Sequence, residues 1–183
     1  NLPFTIDTVY QIATDDNAGT VSTDTYTYEG GRYYFNTPTD RRFAWFGAIT
    51  KADSDGNKVK TFYHQGNATD STHGEYSDDS SKIGKIYRTE ILDSSGNIYQ
   101  KVVNKWDKYN LGTGRDFVKL VRSTTLTYDG DSDHKDTTTE YTYDNTYGNI
   151  TTKTMWGEVT ASDDGSYTDT GSDKSVETVS YTA

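Results

Sequence analysis

The feature that most constrains this chain is a turn signal that recurs between runs of β-forming residues. Asp53–Asn57 (DSDGN) and Asp93–Asn97 (DSSGN) share one pattern, and Asp144–Asn149 (DNTYGN) is a version one residue longer. In such a turn the Asp side chain accepts hydrogen bonds from the backbone that follows it, and Gly supplies the positive φ angle. The pattern predicts a degenerate series of antiparallel β-hairpins.

Composition decides whether such a chain can fold. Charged residues make up 25% of the sequence, and aliphatic residues are sparse, but there are 16 Tyr, 6 Phe and 3 Trp. Aromatic side chains each bury a large area and suit a pleated, half-buried surface. We therefore expect an all-β fold with a thin core. No segment joins helix caps to an apolar stripe of helical period, so the sequence predicts little or no helix.

Charge and length exclude several classes of protein. The net charge of −10 and the pI of about 4.6 disfavour binding to nucleic acid or to an anionic membrane. No apolar run approaches the length of a membrane-spanning helix, so we expect no membrane insertion. The absence of Cys excludes disulfides and thiol chemistry. The chain begins at Asn1 without Met or a visible signal peptide, so we expect a processed or excised polypeptide. Its length predicts a single β-rich segment over residues 1–183, which is one domain or one slice of a larger one.

Local patterns place the elements along the chain. Alternating residues and turn signals predict strands, and the polar, aperiodic stretch 68–84 predicts a long surface loop. A Gly-rich connection is expected at 107–116. The predicted strands are 4–13, 20–29, 32–35, 48–52, 58–61, 85–92, 98–106, 117–122, 123–128, 137–143, 151–160 and 176–181.

Three motifs carry a family resemblance. Residues 41–47 (RRFAWFG) lead into a strand, residues 62–67 (FYHQGN) end at a turn, and residues 141–149 have the form Y-x-Y-D…G-N. The chain resembles the start of the YD-repeat (RHS) region of the insecticidal toxin-complex B subunits (TcdB/SpvB-like) and related bacterial RHS proteins. The residues that match the motifs are Arg41, Arg42, Phe43, Phe46, Gly47, Tyr63, His64, Gly66, Tyr141, Tyr143, Asp144, Gly148 and Asn149.

The resemblance implies both a fold and a role. In that family, antiparallel hairpins form an extended, curved sheet that spirals into a hollow shell around a cytotoxic C-terminal polypeptide. This chain would be an early piece of the wall of a secreted or cell-surface bacterial protein, with no catalysis of its own. Its partners would be the remainder of its shell and the enclosed polypeptide. The family's Asp-bearing self-cleavage core and its variable toxic domain do not occur in these residues.

One acidic cluster suggests calcium. Asp129, Asp131 and Asp133, with Glu140 eleven positions after the first, follow the ligand spacing of a calcium loop. However, His134 occupies the position that requires Gly, and Glu140 falls in a predicted strand. A solvated acidic hairpin tip is the competing interpretation, and it is the one we favour, so we expect no cofactor.

Other catalytic patterns are missing from the sequence. The histidines His64, His73 and His134 form no metal-binding i,i+4 pair, and no G-x-S-x-G motif occurs. His64 is expected to be a structural, hydrogen-bonding residue at a turn. With 28 acidic residues, a pair of carboxylates at a workable distance carries no information about glycoside hydrolysis.

The abundant aromatic residues leave one alternative open. A secreted carbohydrate-binding or adhesive β-module would use exposed rings to stack on a glycan. In the shell interpretation the rings instead pack between strands and seal the sheet. Arg41 and Arg42 would then stack on rings or pair with acids such as Glu90.

Overall fold

A computed structural model describes residue 2 and residues 4–67, 69–130 and 132–182. The fold is all-β, as the sequence predicts, and two single 3-10 turns, Ser71–His73 and Ser80–Lys82, are its only helical elements in those residues. No helix among them is long and apolar enough to cross a membrane. The strands are β1 Gln11–Asp15, β2 Val21–Glu29, β3 Tyr33–Thr37, β4 Asp40–Phe43, β5 Ala48–Ala52, β6 Lys58–Tyr63, β7 Ile86–Leu92, β8 Ile98–Asn110, β9 Asp116–Tyr128, β10 His134–Tyr143, β11 Ile150–Ala161, β12 Tyr167–Asp169 and β13 Ser175–Thr178.

Eleven of these strands form one open antiparallel sheet. Its order is β1-β2-β5-β6-β7-β8-β9-β10-β11-β12, with β13 also paired to β11. Each strand from β5 to β11 pairs with the next strand in the chain. The hairpin β3–β4 projects from the connection between β2 and β5 and pairs only with itself. The sheet is therefore a meander with one small side hairpin.

The recurring turns fold as their sequence predicts. The Asp53 carboxylate accepts hydrogen bonds from the backbone N–H of Asp55 at 3.0 Å and of Asn57 at 2.8 Å. Asp93 binds the N–H of Asn97 in the same way at 2.8 Å. Gly56 has a φ of +85°, a conformation that costs a residue with a Cβ about 1–2 kcal/mol. These local interactions set the register of the hairpins on either side.

The two faces of the sheet differ in what covers them. The covered face carries the buried side chains of Phe62, Arg88, Val103, Thr124 and Leu126, which lie opposite one another on neighbouring strands or follow at alternate positions. Side chains at the intervening positions form the open face, where Val59 and Ile91 are exposed. Burial is thus confined to one side, and the core is thin.

Two separate clusters make up that core. One consists of Leu126, Tyr128, Val159 and Ala161, with Ile98, Trp156 and Tyr167 packed against it. The other consists of Ala48, Phe62 and Tyr87. Aromatic rings supply much of the volume in both, which is what the composition predicts.

Several predicted boundaries are wrong. The strand predicted for 4–13 begins only at Gln11, and Phe4 instead packs on the rings of Tyr33 at 5.5 Å and Phe43 at 6.3 Å. Strand β8 continues to Asn110, so the 107–116 connection is much shorter than expected. Strand β12 was not predicted. The largest difference is in the loop predicted for 68–84, which lies on the covered face and buries polar side chains.

Candidate functional site

The site that the fold builds is a polar layer over the covered face. Its main part is residues 64–84, which we call the covering loop; Ala68 within it lies outside the described residues. Its second part is the turn between β11 and β12, residues 162–166, which we call the capping turn. Motif residues from the sequence enter this layer at His64 and at Arg42.

His64 anchors the covering loop where it leaves β6. The imidazole is completely buried, and its Nδ1 atom lies 2.7 Å from Oε1 of Glu75 and 3.1 Å from Oδ1 of Asp78. Both carboxylates are also buried. The other ring nitrogen, Nε2, has no hydrogen-bond partner among the described residues. The ring is therefore oriented through Nδ1 alone.

The two carboxylates also hold the backbone of the covering loop. Oε2 of Glu75 accepts the N–H of Asp70 at 2.5 Å. Oδ2 of Asp78 accepts the N–H of Asn67 at 2.7 Å, and Oδ1 accepts the N–H of Asp79 at 2.8 Å. The His64 contacts thus connect backbone groups on both sides of the loop, and hydrogen-bond networks of this kind rigidify a segment.

Burial and pairing act in opposite directions on these groups. Burial disfavours the charged imidazole of His64, but its contacts with Asp78 and Glu75 outweigh burial and raise its pKa above the ordinary value. Burial likewise opposes ionisation of Asp78, yet hydrogen bonds from His64 and Asn67 leave its pKa lowered. The shifts favour a charged His64–Asp78 pair in the folded state.

Lys82 is the second buried cation of the loop. Its side chain is 2% exposed, and its Nζ atom donates to the carbonyl oxygens of Tyr76, at 3.1 Å, and Ser77. Burial lowers its pKa, although nearby carboxylates oppose this effect. The ammonium group therefore closes the loop by satisfying two carbonyls that face the interior.

Arg88 joins the covering loop to the capping turn. Its guanidinium, 3% exposed, binds Glu90 at 2.7 Å, the carbonyl of Asp163 at 2.9 Å and the carboxylate of Asp163 at 3.2 Å. It also reaches the carbonyl of His73 at 3.4 Å, and Lys101 contacts Asp163 from the next strand. Two segments that are distant in sequence thus meet on one arginine.

The aromatic segment 41–47 seals the sheet where β3–β4 projects. Phe46 packs on Phe43 at 5.3 Å and on Tyr28 at 4.8 Å, and Trp45, with a φ of +69°, contacts Tyr63 at 6.4 Å. The amide of Gln65 donates to the carbonyl of Trp45 at 3.0 Å. A positive φ is costly for Trp, so this hydrogen bond helps to hold a strained turn.

Of the two arginines of that segment, Arg42 stacks on an aromatic ring as expected, whereas the expected acidic partner, Glu90, binds a different arginine. Arg42 stacks over the ring of Tyr34 at 5.6 Å and donates to the carbonyl of Ser80 in the covering loop at 2.6 Å. Glu90, suggested above as an ion-pair partner, instead binds Arg88. The cause is register, because Glu90 and Arg88 lie two positions apart on the same face of β7.

The repeat motif at 141–149 forms the turn of the β10–β11 hairpin and holds it against β9. The hydroxyl of Tyr143 donates to the carbonyl of Leu120 at 2.7 Å, and its ring packs on Phe117 at 5.8 Å. Gly148 also lies against the Phe117 ring, and the N–H of Asp144 donates to the carbonyl of Asn149 at 2.9 Å. Tyr141 is paired with Lys153 in the ladder between β10 and β11.

Of the candidate calcium ligands that the structure describes, Asp129 and Asp133 are not brought together with Glu140. Asp131 lies outside the described residues, and Asp129 and Asp133 flank it in the β9–β10 turn. Glu140 lies in β10 beyond that turn, six residues from the strand's start at His134, which is about 20 Å of strand. Its Oε2 accepts the indole N–H of Trp156 at 3.3 Å.

Sequence reasoning did not find the partners of His64 and Arg88. Glu75, Asp78, Lys82 and Asp163 lie in polar stretches without periodicity, so nothing local distinguishes them from solvated residues. The sequence separation between Arg88 and Asp163 is 75 residues, a distance at which single-sequence patterns carry no information.

Comparison with known proteins gives one informative match. No family model and no curated protein matches the chain. The fold is similar to part of the solved structure of TcdB2-TccC3 without its hypervariable C-terminal region, with a TM-score of 0.68 and 16% sequence identity. The alignment covers 84% of this chain and 10% of that one. The chain therefore has the fold of a segment of a TcdB-type protein, as the sequence resemblance implies.

Proposed function

We propose that the chain is a structural, non-enzymatic segment of the wall of an RHS/YD-repeat shell. The observation that supports this proposal is the open antiparallel sheet, which has the fold of one tenth of TcdB2-TccC3 and free strands at both ends. Such a sheet continues naturally into further strands, because an edge strand presents unpaired N–H and C=O groups. The enclosed material would be a C-terminal polypeptide of the same protein.

The contacts within the polar layer on the covered face fit a structural role in a shell wall. The covering loop and the capping turn are fixed to the sheet by buried charges at His64 and Arg88. Their carboxylates are engaged with backbone or side-chain donors, and none is poised as a free acid or base. Together with the fold of a shell protein, this arrangement favours a structural role over catalysis.

Protection of the natural parent polypeptide tests this proposal. Limited proteolysis, followed with an antibody to residues 41–106, should leave the epitope inside a large resistant particle together with a protected C-terminal region. Release of the epitope as a free fragment of about 180 residues would identify an independent module instead. A secreted or cell-surface location predicts that the particle is found outside the bacterial cytoplasm.

Glycan binding is the outcome that would replace the shell proposal. A glycan array should show no reproducible binding, because the rings of the aromatic segment pack on one another. Binding that disappears when Trp45, which is 45% exposed, is changed to Ala would support a carbohydrate-binding module. Turnover of a substrate that one carboxylate substitution abolishes would overturn the non-enzymatic assignment.

A further inference from the structure

Three possible metal-ligand atoms lie within 4.8 Å of one another, and they belong to His64, Glu75 and Asp78. Nδ1 of His64 lies 2.7 Å from Oε1 of Glu75 and 3.1 Å from Oδ1 of Asp78. The atoms come from the end of β6 and from two positions of the covering loop, and within the described residues this is the one such group of three. An imidazole nitrogen with two carboxylate oxygens is a donor set that divalent first-row transition metals accept.

The distances between the donors suit one coordination geometry better than another. For metal–ligand bonds of about 2.1 Å, adjacent ligands at octahedral angles lie about 3.0 Å apart, and tetrahedral ligands about 3.4 Å apart. The observed 2.7 and 3.1 Å lie on either side of the octahedral value. The two distances from His64 are therefore compatible with six-coordinate ions such as Mn²⁺, Co²⁺ and Ni²⁺, and all three ligand atoms lie within 4.8 Å of one another. Ca²⁺ is disfavoured because it prefers oxygen ligands at longer distances.

Charge also favours a divalent ion. Two carboxylates share one imidazole nitrogen, so the three groups together carry a charge of about −1 when the imidazole is doubly protonated and about 0 when a divalent ion replaces the proton on Nδ1. Lys82 is a buried cation of the same loop, but its ammonium is occupied by the carbonyl oxygens of Tyr76 and Ser77. It balances the group from a distance and contributes no ligand.

A surface cleft adjoins this group at Glu75. A cleft of about 370 Å³ lies between the covering loop and strands β5 and β6, and its lining includes Glu75, Asp70 and His73. Glu75 thus faces the cleft on one side and His64 on the other. The exposed Asp70–His73 pair, with Oδ2 and Nδ1 at 2.7 Å, lies at the same cleft.

We propose that His64, Glu75 and Asp78 form a binding site for one divalent transition-metal ion, which fastens the covering loop to the sheet. The ion takes the place of the proton on Nδ1 and bonds to one oxygen of each carboxylate. Metal-binding histidines usually donate their second N–H to an acceptor, and Nε2 of His64 has none. We therefore expect an affinity about 10–100-fold below that of a fully supported site.

Titration of the tag-free protein with NiCl₂, CoCl₂ and MnCl₂ tests the site. Isothermal calorimetry should give one ion per chain, with Ni²⁺ bound more tightly than Co²⁺ and Mn²⁺. Glu75→Gln and Asp78→Asn keep the side-chain volume and should each weaken binding about 10-fold or more. His73→Ala removes the neighbouring exposed imidazole and should leave the affinity within about twofold of wild type. Circular dichroism establishes that each variant is folded.

A second measurement separates this site from binding at the surface. Saturating Ni²⁺ should slow proteolytic cleavage within residues 64–84 of the wild-type protein and of His73→Ala, but not of Glu75→Gln. Absence of binding, unchanged affinity in both carboxylate variants, or loss of binding in His73→Ala would each overturn the proposal. The last result would assign the ion to the Asp70–His73 pair.

Discussion

At the scale of single residues, Gly165 shows how closely the capping turn approaches the sheet. Its φ is +74°, and a Cβ added there would lie 2.8 Å from the Cβ of Val103. Its carbonyl also accepts the hydroxyl of Thr124, a buried residue, at 2.9 Å. The turn can lie this close only because position 165 has no side chain.

Gly165→Ala should therefore destabilise the protein strongly. We expect a loss of about 1–2 kcal/mol from the left-handed conformation and about 1–3 kcal/mol more from overpacking against Val103. The control is Gly96→Ala, because Gly96 has a φ of +93° but open space around it. Urea unfolding of both variants measures the difference. Equal losses would mean that the capping turn does not pack on Val103 in solution.

Asp163 gives the capping turn a dependence on pH. Burial disfavours its carboxylate charge, but hydrogen bonds from Lys101 and Arg88 outweigh burial and lower its pKa below the ordinary value. A lowered pKa in the folded state stabilises the protein above the unfolded-state pKa, and this contribution is lost as the pH falls through the folded-state value. The side chain is half exposed, so the effect is modest.

The matching prediction concerns Asp163→Asn. Its urea midpoint should lie below that of wild type at neutral pH, and the gap should close at an acidic pH below the lowered folded-state pKa of Asp163. Asp55→Asn, at the exposed tip of a hairpin, should leave the midpoint unchanged at both pH values. A gap for Asp163→Asn that is the same at both pH values would show that its charge does not stabilise the fold.

At the scale of elements, the covering loop depends on buried polar contacts more than on apolar packing. Lys82→Met keeps most of the side chain but leaves the carbonyls of Tyr76 and Ser77 without their donor. An unsatisfied buried polar group costs about 1–3 kcal/mol. Proteolytic cleavage within residues 64–84 should accordingly become about 10-fold faster, since cleavage follows the population of the open form.

Lys85→Met is the control for that experiment. Lys85 follows the covering loop, and its ammonium lies 5.1 Å from the centre of the Trp106 ring without closing the loop. Its replacement should change the cleavage rate less than about twofold. Similar cleavage of the two variants would mean that Lys82 does not hold the loop closed.

The elements that the sequence predicts are those with local causes. The turns at Asp53–Asn57 and Asp93–Asn97 contain both the capping side chain and the Gly that the backbone needs, so the hairpins follow from a few adjacent residues. The extension of β8 to Asn110 follows instead from pairing with β9, and β12 exists because it pairs with β11. Neither partner can be inferred from the residues of the strand itself.

The candidate site was less predictable for the same reason. His64 drew attention because it follows an aromatic pair at a turn, and it is indeed a buried, hydrogen-bonded residue. Glu75 and Asp78 occur in a stretch that looks like a solvated loop, and only the return of that stretch over the sheet buries them. Polar layers of this kind depend on long-range contacts, which leave no periodic pattern in the sequence.

At the scale of the whole molecule, the open sheet ends in strands that have no partner on one side among the residues that the structure describes. Strand β1 pairs with β2 through hydrogen bonds at Tyr10 and, by alternation, at Ile12 and Thr14. The N–H and C=O groups of Gln11 and Ala13 therefore point away from the sheet. Tyr10 is 70% exposed, and Ile12 is 45% exposed. An apolar edge with unpaired backbone groups is a template for another strand.

The isolated polypeptide of 183 residues should therefore self-associate as its concentration rises. Ala13→Pro removes one outward N–H without touching the hydrogen bonds to β2, so it should shift association to a concentration about 10-fold higher. The control is Ser54→Pro, which introduces a proline into a hairpin turn that can accommodate it. This variant should associate like wild type. Sedimentation velocity over a range of protein concentrations measures the association of each protein. Monomers of all three proteins at high concentration would mean that the free edge is not adhesive, and that continuation of the sheet in a longer chain requires covalent connection as well as an open edge.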